Sequence, residues 1–193
     1  METRKILVVI DVQNDFITGA LRNEEAIKKV PNIVKKINEK KWDFIYLTRD
    51  THFSDYMETN EGKKLPVPHC IQNTDGWNIE SSVMEAVVNS KVPYAVYDKL
   101  TFGRTEIADD LEYELDDRGI VDFNETYNNG DAVNVEFVGF CTDICVVSNA
   151  LILKANWYSF ADITVDSNCC AGVTPESHEA ALTTMRMCQI DVI

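Results

Sequence analysis

The chain has 193 residues, 18 basic and 32 acidic, and a formal net charge of −14. That length fits one domain, residues 1–193, able to bury a substantial core. The acidic balance, with no extended basic cluster, excludes nucleic acid and anionic membranes as partners, because both need a positive field.

Residues 5–12 read as a near-continuous apolar strand that ends at an acid, Asp11, as buried parallel strands do. The apolar run 6–10 is too short for a signal-peptide core, and nothing approaches membrane-spanning length. Six cysteines without export machinery therefore point to reduced thiols in the cytoplasm. Ile27, Val30, Ile33, Val34 and Ile37 follow helical spacing, with Pro31 expected as first residue of the main segment. A second strand is expected at 42–47, an irregular stretch at 48–77 and a short strand at 94–97. The acidic stretch 109–117 reads as a solvated helix face. Residues 132–139 form another strand, followed by a turn and a helix over 146–155. A strand at 163–165, a strand-end turn at Cys169-Cys170, a helix at 175–188 opened by Pro175, and a closing segment at 189–193 complete the chain. This alternation predicts an α/β fold, a mostly parallel sheet with helices on both faces.

The most informative stretch is 139–146, Gly-Phe-Cys-Thr-Asp-Ile-Cys-Val. A strand, a tight turn and a helix place Cys145 in the first helical turn, where unpaired N–H groups and the helix dipole favour a thiolate. Alone, a free cysteine is more often an inert small hydrophobe. Ligands, however, bind at the carboxyl ends of parallel strands, and other strand ends here carry Asp11, Thr48-Arg49-Asp50 and Asp98-Lys99. Asp11 is a base for the thiol, and Lys99 a cation that holds both charges in place. Singly, a turn acid and a surface lysine are the simpler readings; jointly they favour function. The irregular stretch adds Asp50, His52 and His69, ligand types that suit a divalent metal, with Asp55, Glu58 and Glu61 available to complete the set. His178, early in the last helix, reads as structural or solvent-exposed.

Residues 10–16 (Ile-Asp-Val-Gln-Asn-Asp-Phe), Asp98-Lys99 with Phe102-Gly103, and the 139–146 stretch together resemble the signatures of the isochorismatase-like cysteine hydrolases. Within that superfamily the chain is most similar to nicotinamidases, over nearly its whole length. The resemblance implies a three-layer α/β/α sandwich with a mostly parallel six-stranded sheet. It also implies a catalytic triad on Asp11, Lys99 and Cys145, and a non-proline cis peptide at Phe140–Cys141 that aims the N–H groups of Cys141 and Cys145 at one oxyanion. It places a divalent metal, zinc, on Asp50, His52 and His69. Where the commonest relatives carry a further histidine this chain has none, and Glu61 is the best match, with Glu58 as alternative. Phe16 matches an aromatic of the substrate pocket; a core phenylalanine is the other reading. The implied activity is metal-dependent hydrolysis of nicotinamide to nicotinate and ammonia through a thioester, by a homo-oligomer. The alternatives are another small amide, carbamoyl or ureido substrate, or a catalytically silent binding domain of the same fold.

Overall fold

Strand β1 (Arg4–Ile10) is apolar throughout its second half because it runs through the middle of the molecule, and Ile6 to Ile10 are almost wholly buried. The computed structural model describes residues 3–39, 41–123 and 133–193. Beside β1 lie β2 (Phe44–Asp50) and β4 (Val133–Phe140), and beyond them β3 (Tyr94–Lys99), β5 (Ala161–Ala171) and β6 (Asp191–Val192). The six strands form one sheet in the order β3-β2-β1-β4-β5-β6. Every pairing is parallel. The order reverses between β1 and β4, which opens a crevice at the carboxyl ends of those strands.

Alternate residues of a strand face opposite sides of the sheet, and β1 divides accordingly. Leu7 and Val9 pack with Ala26, Ile33 and Ile37 of α2 (Glu24–Ile37) and with Val83 and Val87 of α4 (Ser81–Ser90). Ile6, Val8 and Ile10 pack with α5 (Ile107–Asp117), α6 (Val147–Asn156) and α7 (Pro175–Met187). Each fully buried side chain of this kind contributes about 1.5–3 kcal/mol. Two short helices, α1 (Asn14–Ile17) and α3 (Asn60–Lys64), stand over the carboxyl edge. Among the described residues, no helix is long and apolar enough to cross a membrane.

Gly139 closes the sheet beside the crevice. Its φ is +123°, and a Cβ there would stand 2.0 Å from the Ile10 carbonyl oxygen. Only glycine lets β4 approach β1 so closely.

Several expected boundaries move. Pro31 lies inside α2, not at its start, because the Asn23 side chain caps a helix that begins at Glu24. The cap and the burial of Ala26 and Ile33 outweigh the backbone donor that proline lacks. Strand β5 runs well past 165 and takes in Cys169 and Cys170, so these form no turn; all six cysteines are free. Its polar middle is satisfied from outside the sheet: Asp166 meets Lys36, Ser167 meets the Ile193 carbonyl, and Asn32 donates to the Asn168 carbonyl. The acidic face of α5 is also only partly solvated. Asp110 accepts from the Tyr46 hydroxyl and Arg104, and the buried Glu114 accepts from the Tyr97 hydroxyl. The strand expected at 132–139 is β4, with Ala132 itself outside the described residues.

Candidate active site

Four strand ends converge on one cavity. Asp11 follows β1 with φ +47°, in the left-handed region that non-glycine residues rarely occupy. Its carboxylate is wholly buried and accepts a 2.7 Å hydrogen bond from the Thr48 hydroxyl. Lys99 ends β3, with Asp50 as its register partner at the end of β2. Two inter-strand spacings, about 9–10 Å, separate β3 from β1, and the buried side chains of Lys99 and Asp11 meet between them. Its Nζ lies 2.6 Å from Asp11 Oδ2, 3.2 Å from Asp50 Oδ1 and 3.6 Å from Cys145 Sγ.

The thiol comes from the β4 end. The Phe140–Cys141 peptide is cis, and residues Thr142–Val146 form one wide π-helical turn before α6 begins. In it the Val146 N–H reaches back five residues to the Cys141 carbonyl. Single π turns recur at functional sites. Cys145 thus lies in a π turn ahead of α6 and not in a first α-helical turn, which corrects one expectation. Burial pushes its thiol well above the ordinary range, more than the Lys99 ammonium pulls it down. Burial likewise raises the Asp11 carboxyl against the opposing pull of Lys99. Burial alone would lower Lys99, but Asp11, Cys145 and Asp50 raise it well above 10.5.

Next to this triad lies the second group. Donor atoms of Asp50, His52 and His69 all fall within 4.8 Å of one another, an arrangement that can hold a metal ion. Glu61 Oε1 stands 3.6 Å from His52 Nε2 and 3.8 Å from His69 Nε2, on α3. That oxygen is buried without a hydrogen-bond partner, a condition normally met by a missing ligand. His69 gives its other nitrogen, Nδ1, to the Val67 carbonyl at 2.8 Å, the support a metal-bound imidazole usually has. Two carboxylates and two imidazoles thus fit a divalent cation. Asp55 and Glu58 are exposed and stand away from the group.

The cavity above both groups measures about 1080 Å³ and is lined by Phe16, Leu21, His69, Phe102, Cys141 and Cys145, among others. Phe16 is buried, packs edge-on against His69 at 5.6 Å, and lines the cavity. Sequence reasoning missed the residues that brace this arrangement. Buried Gln13 donates to the Asp50 and Trp77 carbonyls, and its Oε1 accepts from the Asp50 N–H. Asp15 accepts from the Cys70 N–H beside His69. Their placement in the 10–16 stretch, between Asp11 and Phe16, was the available signal. His178, read as structural or exposed, is half-buried, and its Nδ1 lies 2.8 Å from the Thr142 hydroxyl in the nucleophile turn.

A parallel six-stranded sheet with these groups at its carboxyl edge is the architecture of one family, and the isochorismatase domain family matches residues 5–193. The chain belongs to the isochorismatase family. Its relatives include the nicotinamidase of Schizosaccharomyces pombe, 28% identical over a 224-residue alignment covering 100% of this chain and 94% of that protein. Among solved structures, the nicotinamidase/pyrazinamidase PncA from Bacillus subtilis is similar with a TM-score of 0.76 at 27% identity, over 98% of this chain and 99% of that one. The pyrazinamidase of Pyrococcus horikoshii in complex with zinc is similar with a TM-score of 0.69 at 26% identity, over 98% of both chains.

Proposed function

We propose that this protein is a hydrolase of amide C–N bonds, and specifically a nicotinamidase that converts nicotinamide and water to nicotinate and ammonia. The observation that carries the reading is Lys99 Nζ, placed within 3.6 Å of Cys145 Sγ and 2.6 Å of Asp11 Oδ2, with Cys145 lining the cavity. The similarity to nicotinamidases and pyrazinamidases supports the choice of a ring-bearing carboxamide.

Asp11 takes the proton from the Cys145 thiol as sulfur attacks the carboxamide carbon, while Lys99 holds the carboxylate and the sulfur in register. The C=O electrons move onto oxygen, and the backbone N–H groups of Cys141 and Cys145 stabilise that oxyanion, each strong donor contributing about 3–4 kcal/mol. The tetrahedral adduct collapses, Asp11 returns its proton to the nitrogen, and ammonia leaves a thioester on Cys145. Asp11 then deprotonates a water that attacks the thioester carbonyl, the C–S bond breaks as Asp11 returns that proton to sulfur, and the acid leaves as nicotinate after losing its proton to solvent. Asp50, His52, Glu61 and His69 would hold the metal, zinc, and that ion when bound supplies a Lewis-acid site that orients the pyridine ring. Phe16 packs the ring from the side.

The test is ammonia release from nicotinamide and from a panel of small amide, carbamoyl and ureido compounds, with and without a chelator. Turnover of nicotinamide that falls on chelation and returns with zinc is the expected result. Full activity on a ureido compound with no metal content would replace this reading with the other amidohydrolase class.

A further inference from the structure

Residues 100–104 leave β3 directly after Lys99, and their Phe102 forms a wall of the cavity. Half-exposed and on a loop, Phe102 needs an anchor if it is to hold a substrate ring at a fixed distance from the thiol. The anchor lies in α6, four residues after Cys145. Asn149 is fully buried, and each polar group of its side chain engages backbone. Nδ2 donates to the Phe102 carbonyl at 3.1 Å and to the Cys145 carbonyl at 2.8 Å, and Oδ1 accepts from the Arg104 N–H at 2.9 Å. Among the described residues, the hydrogen bonds between this loop and α6 all pass through Asn149. The Arg104 side chain ties the loop elsewhere, to Asp110 and the Asp98 carbonyl. Between the two bonded loop residues, Gly103 sits so close to α6 that a Cβ would stand 2.6 Å from Ile152 Cδ1 and 3.1 Å from Ser148 Cβ.

We propose that Asn149 is a positioning residue that locks the Phe102 wall of the cavity to the turn carrying Cys145. No other side chain does this in the same space. Aspartate lacks both donors, leucine lacks every polar group, and serine reaches the carbonyl four residues back but not the loop. The inference rests on the proposed cysteine-hydrolase reading for its rate measurements, but not for its chemical readout. A displacement of about 1 Å between ring and thiol is enough to cost about 100-fold in rate.

The experiment compares wild type with Asn149→Ser, Phe102→Ala, the double variant and Gly103→Ala. In steady-state kinetics on nicotinamide, Asn149→Ser is expected to raise KM about tenfold or more with a smaller change in kcat. Phe102→Ala is expected to do the same, and the double variant to add little, since the asparagine acts through the wall. The second readout needs no turnover: the rate of Cys145 alkylation by N-phenyl iodoacetamide relative to iodoacetamide, followed by mass spectrometry of the Cys145 peptide. This ratio falls in Asn149→Ser if the wall has moved, while the iodoacetamide rate alone stays within about threefold. A wild type silent on nicotinamide would refute the proposed substrate and leave the alkylation ratio to decide the inference. Should Asn149→Ser not fold, Gly103→Ala pushes the same loop from α6 without opening the core and is expected to lower the same ratio. Unchanged KM and ratio in the folded variants, or additive effects of Asn149→Ser and Phe102→Ala, would overturn the proposal.

Discussion

Two places among the described residues bury a lysine between two carboxylates with a cysteine beside them, and only one of them has the makings of a site. In the first, Lys99 lies between Asp11 and Asp50 and touches Cys145. In the second, Lys36 of α2 reaches Glu136 of β4 at 2.5 Å and Asp166 of β5 at 2.8 Å, and Asp166 Oδ2 accepts from the Cys169 thiol at 3.5 Å. Composition does not distinguish them. Placement does. The Lys36 group sits between α2 and the sheet, with Glu136 in register on β4 and Asp166 and Cys169 where the β4–β5 register shifts, and none of its members lines the cavity. Cys169 has a carboxylate as its hydrogen-bond partner, and burial, with Asp166 adding to it, pushes that thiol up to about 12. The Lys99 group instead stands at strand ends, on a backbone bent through a positive φ at Asp11, next to two histidines and an open cavity. An ionic cluster within the fold holds layers together; the same cluster at the carboxyl edge faces a ligand.

Substitutions break the comparison in order of size. Cys145→Ala is expected to lower kcat by on the order of 10⁴-fold or more, whereas Cys169→Ala leaves kcat unchanged; ammonia release measures both. Asp11→Asn follows at about 10³-fold, since the thiol loses its base while the hydrogen bond from Thr48 can persist. Lys36→Met inverts the pattern. It leaves Asp166 buried without its cation and Glu136 with only Lys41, 3.8 Å away, a loss of about 3 kcal/mol in urea unfolding, with kcat per folded molecule unchanged. A Lys36→Met protein as stable as wild type would show that its charges are hydrated and the two clusters less alike than their geometry. Removing the ion with a chelator, or His69→Ala, is expected to cost about 100-fold in kcat/KM through lost ring orientation. Zinc restores the chelated wild type but not the variant, and metal analysis of both preparations checks the assignment.

The sequence was most legible where chemistry and periodicity coincided. β1, β2 and β4 showed as apolar runs because they are buried on both faces, and their polar ends stood out against those runs. Asp11, Asp50, Lys99 and Cys145 were found that way, and the model brings all four together. β5 was read too short because Asp166, Ser167 and Asn168 look like a loop until α2 and the chain terminus supply their partners. Pro31 was misplaced for a similar reason: a local rule about proline yielded to an Asn23 cap and a packed face. Gln13 and Asn149 were missed because their function is a set of backbone hydrogen bonds made across the fold. The π turn was invisible as well. The burial of Cys145, which pushes its thiol up against the pull of Lys99, could not be read from the sequence either.

The smallest effect is also the one that separates the clusters without an assay. The groups facing Lys36 are Glu39, Lys41, Glu136, Asp166 and Cys169. Burial works against both charges, yet the pair raises Lys36 above its ordinary 10.5 and lowers Asp166 below its ordinary 3.8. A raised lysine stabilises the fold fully below 10.5 and loses that contribution as pH climbs through the folded value. A lowered carboxylate stabilises it fully above 3.8 and loses it as pH drops through the folded value. The stability difference between wild type and Lys36→Met should therefore hold through the neutral range, shrink as pH climbs past about 10, and shrink as pH falls far enough to protonate the carboxylates that Lys36→Met leaves without their cation. Urea unfolding of both proteins at a series of pH values reads this difference directly, since every other titrating group is common to the two. A difference that stays flat down to about pH 3 would mean that Asp166 is not held as a carboxylate by Lys36. The cluster within the fold would then be two weak surface pairs, and not the structural counterpart of the Lys99 group.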